Sequence, residues 1–268
     1  MNTEMRKKRN AFGKAVFLSS IAAFGGWLLS RKIRRNNQHS ASISKKLRYD
    51  RKSLGGGFKK TYARPLHWQK KEMMAALLIF SGVAVLFSFD EEFSRWFRKQ
   101  EKYIPQPVKD FGWYYGSPEI NYPLNLALYL FGIMTENESF RRTGIRLLTA
   151  ASAAGLVQTI SKKTIGRARP YKEEGKASFQ PFTNKQNYYS FPSGHSILSF
   201  TTGYAISKDF SDPSVKMAIM GIASIAPASR LWAGAHWLTD VYLSLALSLS
   251  AVESVDSYLN NERNYLEE

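Results

Sequence analysis

The sequence predicts an all-α protein: a bundle of six membrane-embedded helices with a basic extension at its N-terminus. Six apolar segments follow one another between residues 73 and 252, and the joints between them carry charge. Runs of small residues within these segments, such as AASAAG and SLALSLSA, suit the close packing of helices in a membrane. We therefore expect one helical domain preceded by a segment of different character.

The positive charge of the chain is concentrated near its N-terminus. The formal net charge is +17, and residues 31–72 hold 14 Lys and Arg side chains against Asp50 and Glu72 alone. This segment contains LGGGFKK and shows little apolar periodicity, so we expect a mostly non-core tail with a short interfacial helix near LHWQKKEM. Such a charge favours an anionic partner: nucleic acid, an anionic lipid or a phosphorylated substrate.

Three parts are predicted along the chain. Residues 1–72 comprise an apolar segment, 15–30, and the basic tail; residues 73–256 form the helical domain; residues 257–268 are a short polar C-terminal tail. The apolar segment follows basic residues and fits a signal peptide, an anchor or an interfacial helix. The chain has no cysteine, which excludes disulfides, thiolate metal sites and thiol catalysis.

The six apolar segments predict the helices and their topology. The first, MMAALLIFSGVAVLFSF, has no charge and is near the lower length limit for crossing a bilayer. The short basic segment 31–72 is expected on the cytoplasmic side of the membrane, which places the loops after the first, third and fifth helices on the extracytoplasmic face. The predicted helices are 73–89, 122–134, 144–160, 194–207, 215–228 and 237–252.

Three polar clusters lie at the ends of these helices that are predicted to face one side. They are SKKTIGRARP after the third helix, FPSGHS at the start of the fourth, and SRLWAGAHWLTD between the fifth and sixth. Lys162, Arg169 and Arg230 supply three cations, and the backbone amides near Ser193 and Gly194 open a helix, whose N-terminus favours an anion. Together these groups suit a dianion such as phosphate.

Two histidines and one carboxylate complete the candidate site. His236 and Asp240 are four positions apart, so they share one face at the start of the last helix. A carboxylate there can hold the imidazole in one tautomer, which makes His236 a candidate nucleophile. His195 comes from another helix and is a candidate general acid for the leaving oxygen.

Six nearby polar residues are interpreted as structural: two as interfacial cations, two as solvated charges and two as interhelical hydrogen-bonding groups. The interfacial cations are Lys163 and Arg167, the solvated charges are Glu173 and Glu174, and the interhelical hydrogen-bonding groups are Asn125 and Gln158.

The three clusters together resemble the motifs of the type 2 phosphatidic acid phosphatase (PAP2) superfamily. The matching patterns are Lys162-x6-Arg169-Pro170, Pro192-Ser193-Gly194-His195 and Ser229-Arg230-x5-His236-x3-Asp240, and the resemblance extends over residues 73–252. It implies a helical core, embedded in the membrane in the lipid phosphatases, and a mechanism that uses a phosphohistidine without metal or other cofactor.

The resemblance also implies a role for each motif residue. His236 attacks phosphorus, Asp240 orients it, and His195 protonates the leaving group. The phosphoryl oxygens are held by five residues: Lys162, Arg169, Ser193, Gly194 and Arg230.

The expected function is the hydrolysis of a lipid phosphate or diphosphate, of the phosphatidic acid, phosphatidylglycerophosphate, isoprenyl diphosphate or lipid A type. The motifs do not distinguish among these lipids or between hydrolysis and phosphotransfer, and the sequence does not indicate the oligomeric state. The main alternative is a secreted acid phosphatase acting on soluble phosphomonoesters. A vanadate-dependent haloperoxidase shares the pocket by resemblance but is usually larger and soluble.

A further alternative is a binding protein driven by the basic tail. It explains neither the helices nor the spacing of the clusters, so no nucleic-acid partner is expected. The tail, residues 31–71, is expected to contact anionic lipid at most.

Overall fold

The computed structural model of the protein describes residues 37–267, which are almost entirely helical, and the apolar segment 15–30 lies outside them. No β-strand forms in this range beyond an isolated bridge between Arg167 and Phe179. The all-α prediction is confirmed. The α-helices are α1 (Asn37–Ala63), α2 (Lys70–Gln100), α3 (Gln106–Tyr115), α4 (Pro118–Thr135), α5 (Glu138–Ile165), α6 (Gly194–Ser207), α7 (Pro213–Ala223), α8 (Ile225–Trp232) and α9 (Leu238–Glu267).

All six predicted segments are helical, but the fifth is divided into α7 and α8 at Ser224. Pro227 explains the division, because a proline has no amide hydrogen to donate to the carbonyl four residues earlier, that of Ala223. The hydroxyl of Ser199 in α6 donates to that carbonyl instead. The last helix runs on to Glu267, well past the predicted end at residue 252.

The basic segment is not a mostly non-core tail, because residues 37–63 form α1, which packs on α5 and α9. The backbone of α1 lies so close to α9 that a Cβ atom at Gly56 would collide with the ring of Tyr258. Asp50 is buried, accepts a hydrogen bond from the Tyr129 hydroxyl (2.8 Å) and pairs with Arg141 of α5. The basic side chains of α1 that the structure describes lie mainly on its exposed side.

At LHWQKKEM, where a short interfacial helix was predicted, a 3₁₀ helix over Arg64–His67 precedes α2. The residues from Lys70 onward are instead the first turn of α2. Gln69 and Glu72 form a capping box there, in which the Gln69 amide donates to the Glu72 carboxylate (3.1 Å).

The main hydrophobic core lies where α4, α5, α6 and α9 meet. Small side chains let the helices approach: Ala150 and Ala154 of α5 are buried against Ala251 and Val255 of α9. The contacts of α9 with α6 carry polar groups too, since the Ser248 hydroxyl donates to the carbonyl of Ile197 (3.0 Å). This packing brings the start of α9 and the start of α6 to the same end of the bundle.

Two of the described helices are long and apolar enough to cross a membrane: Lys70–Tyr103 and Leu238–Asn261. In the apolar window of the first, no residue is buried by the rest of the protein, whereas half of the window of the second is buried. Large apolar side chains of α2 therefore face outward, with Leu78 66% and Phe80 64% exposed.

Candidate active site

Lys162 and Arg169 are brought together at one end of the bundle by a shared acceptor. Lys162 lies in the last turn of α5 and Arg169 in the loop that follows, and both donate to the backbone carbonyl of Tyr189, at 2.6 Å and 3.2 Å. Arg169 also donates to the carbonyl of Ala235 (3.2 Å), the residue before His236. Two of the predicted cations thus lie beside the predicted nucleophile.

His236 is buried, 3% exposed, in the short connection between α8 and α9. Its Nδ1 lies 3.6 Å from Oδ2 of Asp240, within ion-pair range but longer than a hydrogen bond. Because Nδ1 faces the carboxylate, Nε2 is the nitrogen left for chemistry. Burial lowers the pKa of His236 to about 3; the nearby cations Arg169 and Lys162 act in the same direction, while Asp240 opposes them.

This depressed pKa gives a prediction for stability. Between pH 6.5 and 3 the unfolded chain binds a proton at His236 that the folded chain does not, so the contribution of this group to stability falls as the pH falls through that window. The midpoint of thermal unfolding of His236→Gln should therefore decrease less steeply from pH 6.5 to 4 than that of the wild type. Parallel curves for the two proteins would contradict the buried, neutral state of His236.

Asp240 is fully buried and held in one orientation by three donors. The Ser190 hydroxyl (2.5 Å) and the Trp237 amide (2.9 Å) donate to Oδ2, the oxygen nearest His236. Arg167 donates to Oδ1 (2.7 Å). The carboxylate that faces His236 is therefore fixed from the loop before α6 and from the start of its own helix.

Arg167 is not an interfacial cation, and this interpretation of the sequence is wrong. Its side chain is buried and bridges two buried carboxylates, Asp240 at 2.7 Å and Asp90 of α2 at 2.8 Å. Asp90 also accepts from the Thr239 amide (3.0 Å), so it caps the start of α9. The guanidinium carbon of Arg167 lies 5.2 and 5.3 Å from the ring centroids of Phe87 and Trp237.

Asp90 is the functional-site neighbour that sequence reasoning missed. It is the first charge after the apolar segment 73–89, and it was indistinguishable from the other charges of the loop that follows. No signal in the sequence singles it out, because Glu91 and Glu92 follow it directly.

Ser193 caps the N-terminus of α6. Its hydroxyl accepts from the amide (3.4 Å) and hydroxyl (2.8 Å) of Ser196, and its own amide donates to Ser244 of α9 (2.9 Å). The Ser193 amide is thus engaged in packing, which leaves the first two amides of the helix, those of Gly194 and His195, for an anion. Gln158 of α5 lies against Gly194, where an added Cβ would come within 2.8 Å of its Nε2.

His195 and Arg230 share a neighbour that lies in α3. The indole of Trp113 is 4.2 Å from the guanidinium carbon of Arg230 and 5.4 Å from the His195 ring, measured to the ring centroids. Arg230, Lys162, Arg169 and His236 all act electrostatically on His195. The three clusters predicted from the sequence therefore meet in one site.

The remaining polar residues have partners in the structure. Glu173 pairs with Arg98 of α2 (3.3 Å), and Glu174 accepts from the Tyr188 hydroxyl (2.7 Å) and pairs with Lys172. Both glutamates are exposed, as expected of solvated charges, and their ion pairs lie at the surface. Asn125 donates within its own helix α4, to Asn121 (2.9 Å), and it is Asn121 that bonds across to Thr202 of α6 (2.9 Å).

The fold places three basic side chains and two histidines at one end of the helical bundle. Residues 143–258 match the family model of the PAP2 superfamily, a region that contains all three motifs. This match covers less than half of the chain, and it confirms the resemblance seen in the sequence.

Two curated relatives match part of the chain. Lipid A 1-phosphatases of Rhizobium etli and Rhizobium johnstonii are 35% and 34% identical over 107 residues. The match covers 38% of this chain and 44% and 42% of theirs, so the chain spans less than half the length of these relatives.

One solved structure has a similar fold over most of the chain. It is the transmembrane PAP2-type phosphatidylglycerolphosphate phosphatase of Bacillus subtilis, which is 22% identical with a TM-score of 0.50. The similarity covers 69% of this chain and 96% of that protein. At this identity the likeness concerns the fold alone.

Proposed function

We propose that the protein is a phosphatase that hydrolyses a lipid phosphate or diphosphate, with His236 as the nucleophile. The observation that carries the proposal is the convergence of three cations, two histidines and the His236–Asp240 pair at one end of the bundle. A buried, neutral imidazole beside a fixed carboxylate is typical of a catalytic site and is not required in a soluble binding module.

The first half of the reaction forms a phosphohistidine. The lone pair of His236 Nε2 attacks phosphorus, a P–N bond forms, and the bond from phosphorus to the leaving oxygen breaks. The imidazole thereby becomes positively charged, and the carboxylate of Asp240 stabilises that charge. His195 gives its proton to the leaving oxygen.

The second half regenerates the enzyme. Neutral His195 accepts a proton from water, whose oxygen attacks phosphorus, and the P–N bond breaks to release inorganic phosphate and neutral His236. Lys162, Arg169 and Arg230, with the amides of Gly194 and His195, offset the negative charge on the phosphoryl oxygens in both transition states. Neither step calls for a metal ion.

His195 must hold a proton before the first step, although cations surround it. Binding of a phosphate dianion brings negative charge next to the ring and favours its protonated form. Binding of the substrate thus favours the protonated form of His195, which is the form that acts as general acid.

This role predicts a dependence on the leaving group. We expect His195→Asn to lower the rate for an alkyl or lipid phosphate by about 10²–10⁴-fold, the usual contribution of a general acid. The rate of formation of the phosphoenzyme from p-nitrophenyl phosphate should fall much less, because nitrophenolate leaves without a proton. Stopped-flow release of nitrophenolate measures that step, and an equal loss for both leaving groups would contradict the assignment.

A lipid substrate is favoured by the outward-facing apolar side chains of α2. Such a surface suits hydrocarbon, and it disfavours the alternative of a secreted soluble acid phosphatase. We infer a multi-pass membrane protein with its site on the extracytoplasmic face. Labelling of a single cysteine introduced at Lys185, in intact cells, tests the face; labelling only after lysis would contradict it.

We propose the 1-phosphate of lipid A as the first candidate substrate, because the curated relatives are lipid A 1-phosphatases. The test is phosphate release by detergent-purified protein, in EDTA, from lipid A, phosphatidylglycerophosphate, phosphatidic acid, undecaprenyl diphosphate and p-nitrophenyl phosphate. We expect release from at least one lipid in excess of that from p-nitrophenyl phosphate. A folded protein that releases phosphate from none of the lipids contradicts the proposal.

Anionic lipid at the membrane surface remains a second, predicted partner. Exposed cations of α1, including Arg51, Lys59 and Lys60, suit such a contact. Comparison of turnover in micelles with and without phosphatidylglycerol, for the wild type and for Lys59→Glu/Lys60→Glu, tests it; identical responses would remove the contact from consideration.

A further inference from the structure

Helix α3 reaches the site from outside the region that matches the family model. It packs on α8 and on the start of α6 through two glycines four residues apart. A Cβ atom at Gly112 would lie 2.7 Å from Cβ of Ser229, and one at Gly116 would lie 2.8 Å from Cβ of His195. The backbone of α3 is therefore in direct contact with both walls of the site.

This contact fixes the position of Trp113, which lies between the two glycines in sequence. Its ring centroid is 4.2 Å from the guanidinium carbon of Arg230, the distance of a close cation–π pair. The same ring is 5.4 Å from the ring of His195. One indole thus touches a predicted phosphate ligand and the predicted general acid.

Arg230 is held very differently from Arg167. Arg167 is paired with two carboxylates, each of which accepts a hydrogen bond from one of its terminal nitrogens. Arg230 is 5% exposed and forms no ion pair within residues 37–261; the one hydrogen bond recorded for its side chain runs from Nε to the Ser229 hydroxyl (3.2 Å). The face of Trp113 orients this guanidinium without neutralising it and without occupying its two terminal nitrogens.

We propose that Trp113 is a positioning residue of the phosphate site, which holds Arg230 with its terminal nitrogens free for phosphoryl oxygens. The expected effect of Trp113 on catalysis rests on the proposed function. Its expected effect on the affinity for inorganic phosphate can be measured independently of catalysis. An arginine paired with a carboxylate would bind an anion less well, and an unsupported arginine would have to be ordered when the anion binds.

The experiment compares Trp113→Leu and Trp113→Phe with a control on the same helix. The control is Phe111→Leu, because Phe111 is also exposed and stacks on Tyr115 (5.2 Å) rather than on Arg230. The probe is inorganic phosphate, and its dissociation constant is obtained from the phosphate-dependent rise of the unfolding midpoint. Steady-state kcat and KM are measured with the best lipid substrate.

We expect Trp113→Leu to weaken phosphate binding by about 2- to 30-fold, the range from an exposed to a desolvated cation–π contact, because Trp113 is 45% exposed while Arg230 is buried. The substitution should raise KM more than it lowers kcat. Trp113→Phe should recover most of the affinity, and Phe111→Leu should match the wild type. In an Arg230→Met background, Trp113→Leu should have no further effect on phosphate affinity.

Three results would overturn the proposal: unchanged phosphate affinity in Trp113→Leu, an equal loss in Phe111→Leu, or an undiminished effect of Trp113→Leu in the Arg230→Met background. Absence of phosphate binding by the folded wild type would also overturn it. If the wild type binds phosphate but hydrolyses no substrate, the proposed function fails while the affinities still decide the role of Trp113.

Discussion

Replacing His236 by alanine is expected to lower phosphate release by at least about 10⁴-fold, because loss of a nucleophile removes the covalent route entirely. The protein should still fold and still bind phosphate, since Lys162, Arg169 and Arg230 remain. Removal of this buried neutral ring, whose Nδ1 makes no hydrogen bond, leaves no unpaired charge, because Asp240 keeps its three donors.

The measurement is phosphate release in EDTA by the wild type and His236→Ala, at equal folded concentration. Asp240→Asn is the informative companion, because it keeps the shape of the side chain but removes the charge that stabilises the phosphohistidine. We expect it to be impaired but less so than His236→Ala. Residual activity of His236→Ala near that of the wild type would assign the chemistry to another group.

Arg167→Met is expected to have the second large effect, on both stability and activity. It leaves Asp90 and Asp240 buried without their shared cation, and breaking a buried ion pair costs about 3–5 kcal/mol. It also frees the carboxylate of Asp240 to turn away from His236. Denaturant unfolding and phosphate release measure the two effects, with Lys163→Met as the control, because Lys163 is the exposed cation nearby.

A double substitution separates the two roles of Arg167. Arg167→Met with Asp90→Leu removes the cation together with one of its carboxylates, so we expect it to recover part of the lost stability but not the activity. Wild-type stability and turnover in the single variant Arg167→Met would show that the bridge between α2 and α9 has no role in holding the site.

The motif residues could be predicted from the sequence because their types, spacing and positions at helix ends are all local features. The role of Arg167 could not, since its partner Asp90 lies 77 positions earlier and a charge at a helix end looks the same in sequence whether it is solvated or buried. Burial of such a pair is decided by the packing of α2 on α9, which no single segment encodes.

The helices α1 and α3 were missed for a related reason. Glycine disfavours an isolated helix, so LGGGFKK in α1 and FGWYYG in α3 suggest loops. In the folded protein four of these glycines, Gly56, Gly57, Gly112 and Gly116, lie in close contact with a neighbouring helix, and tertiary packing outweighs the propensity. The break between α7 and α8 was readable in principle from Pro227, which lies inside the predicted fifth helix.

The central claim is that phosphate passes through a covalent bond to His236. Its most direct test is to mix the purified protein with a turned-over substrate, quench in alkali, which preserves phosphohistidine, and locate the added phosphate by peptide mass spectrometry. We predict the modification on His236 in the wild type and none in His236→Ala. Phosphate on another residue, or modification that persists when His236 is replaced, would contradict the mechanism.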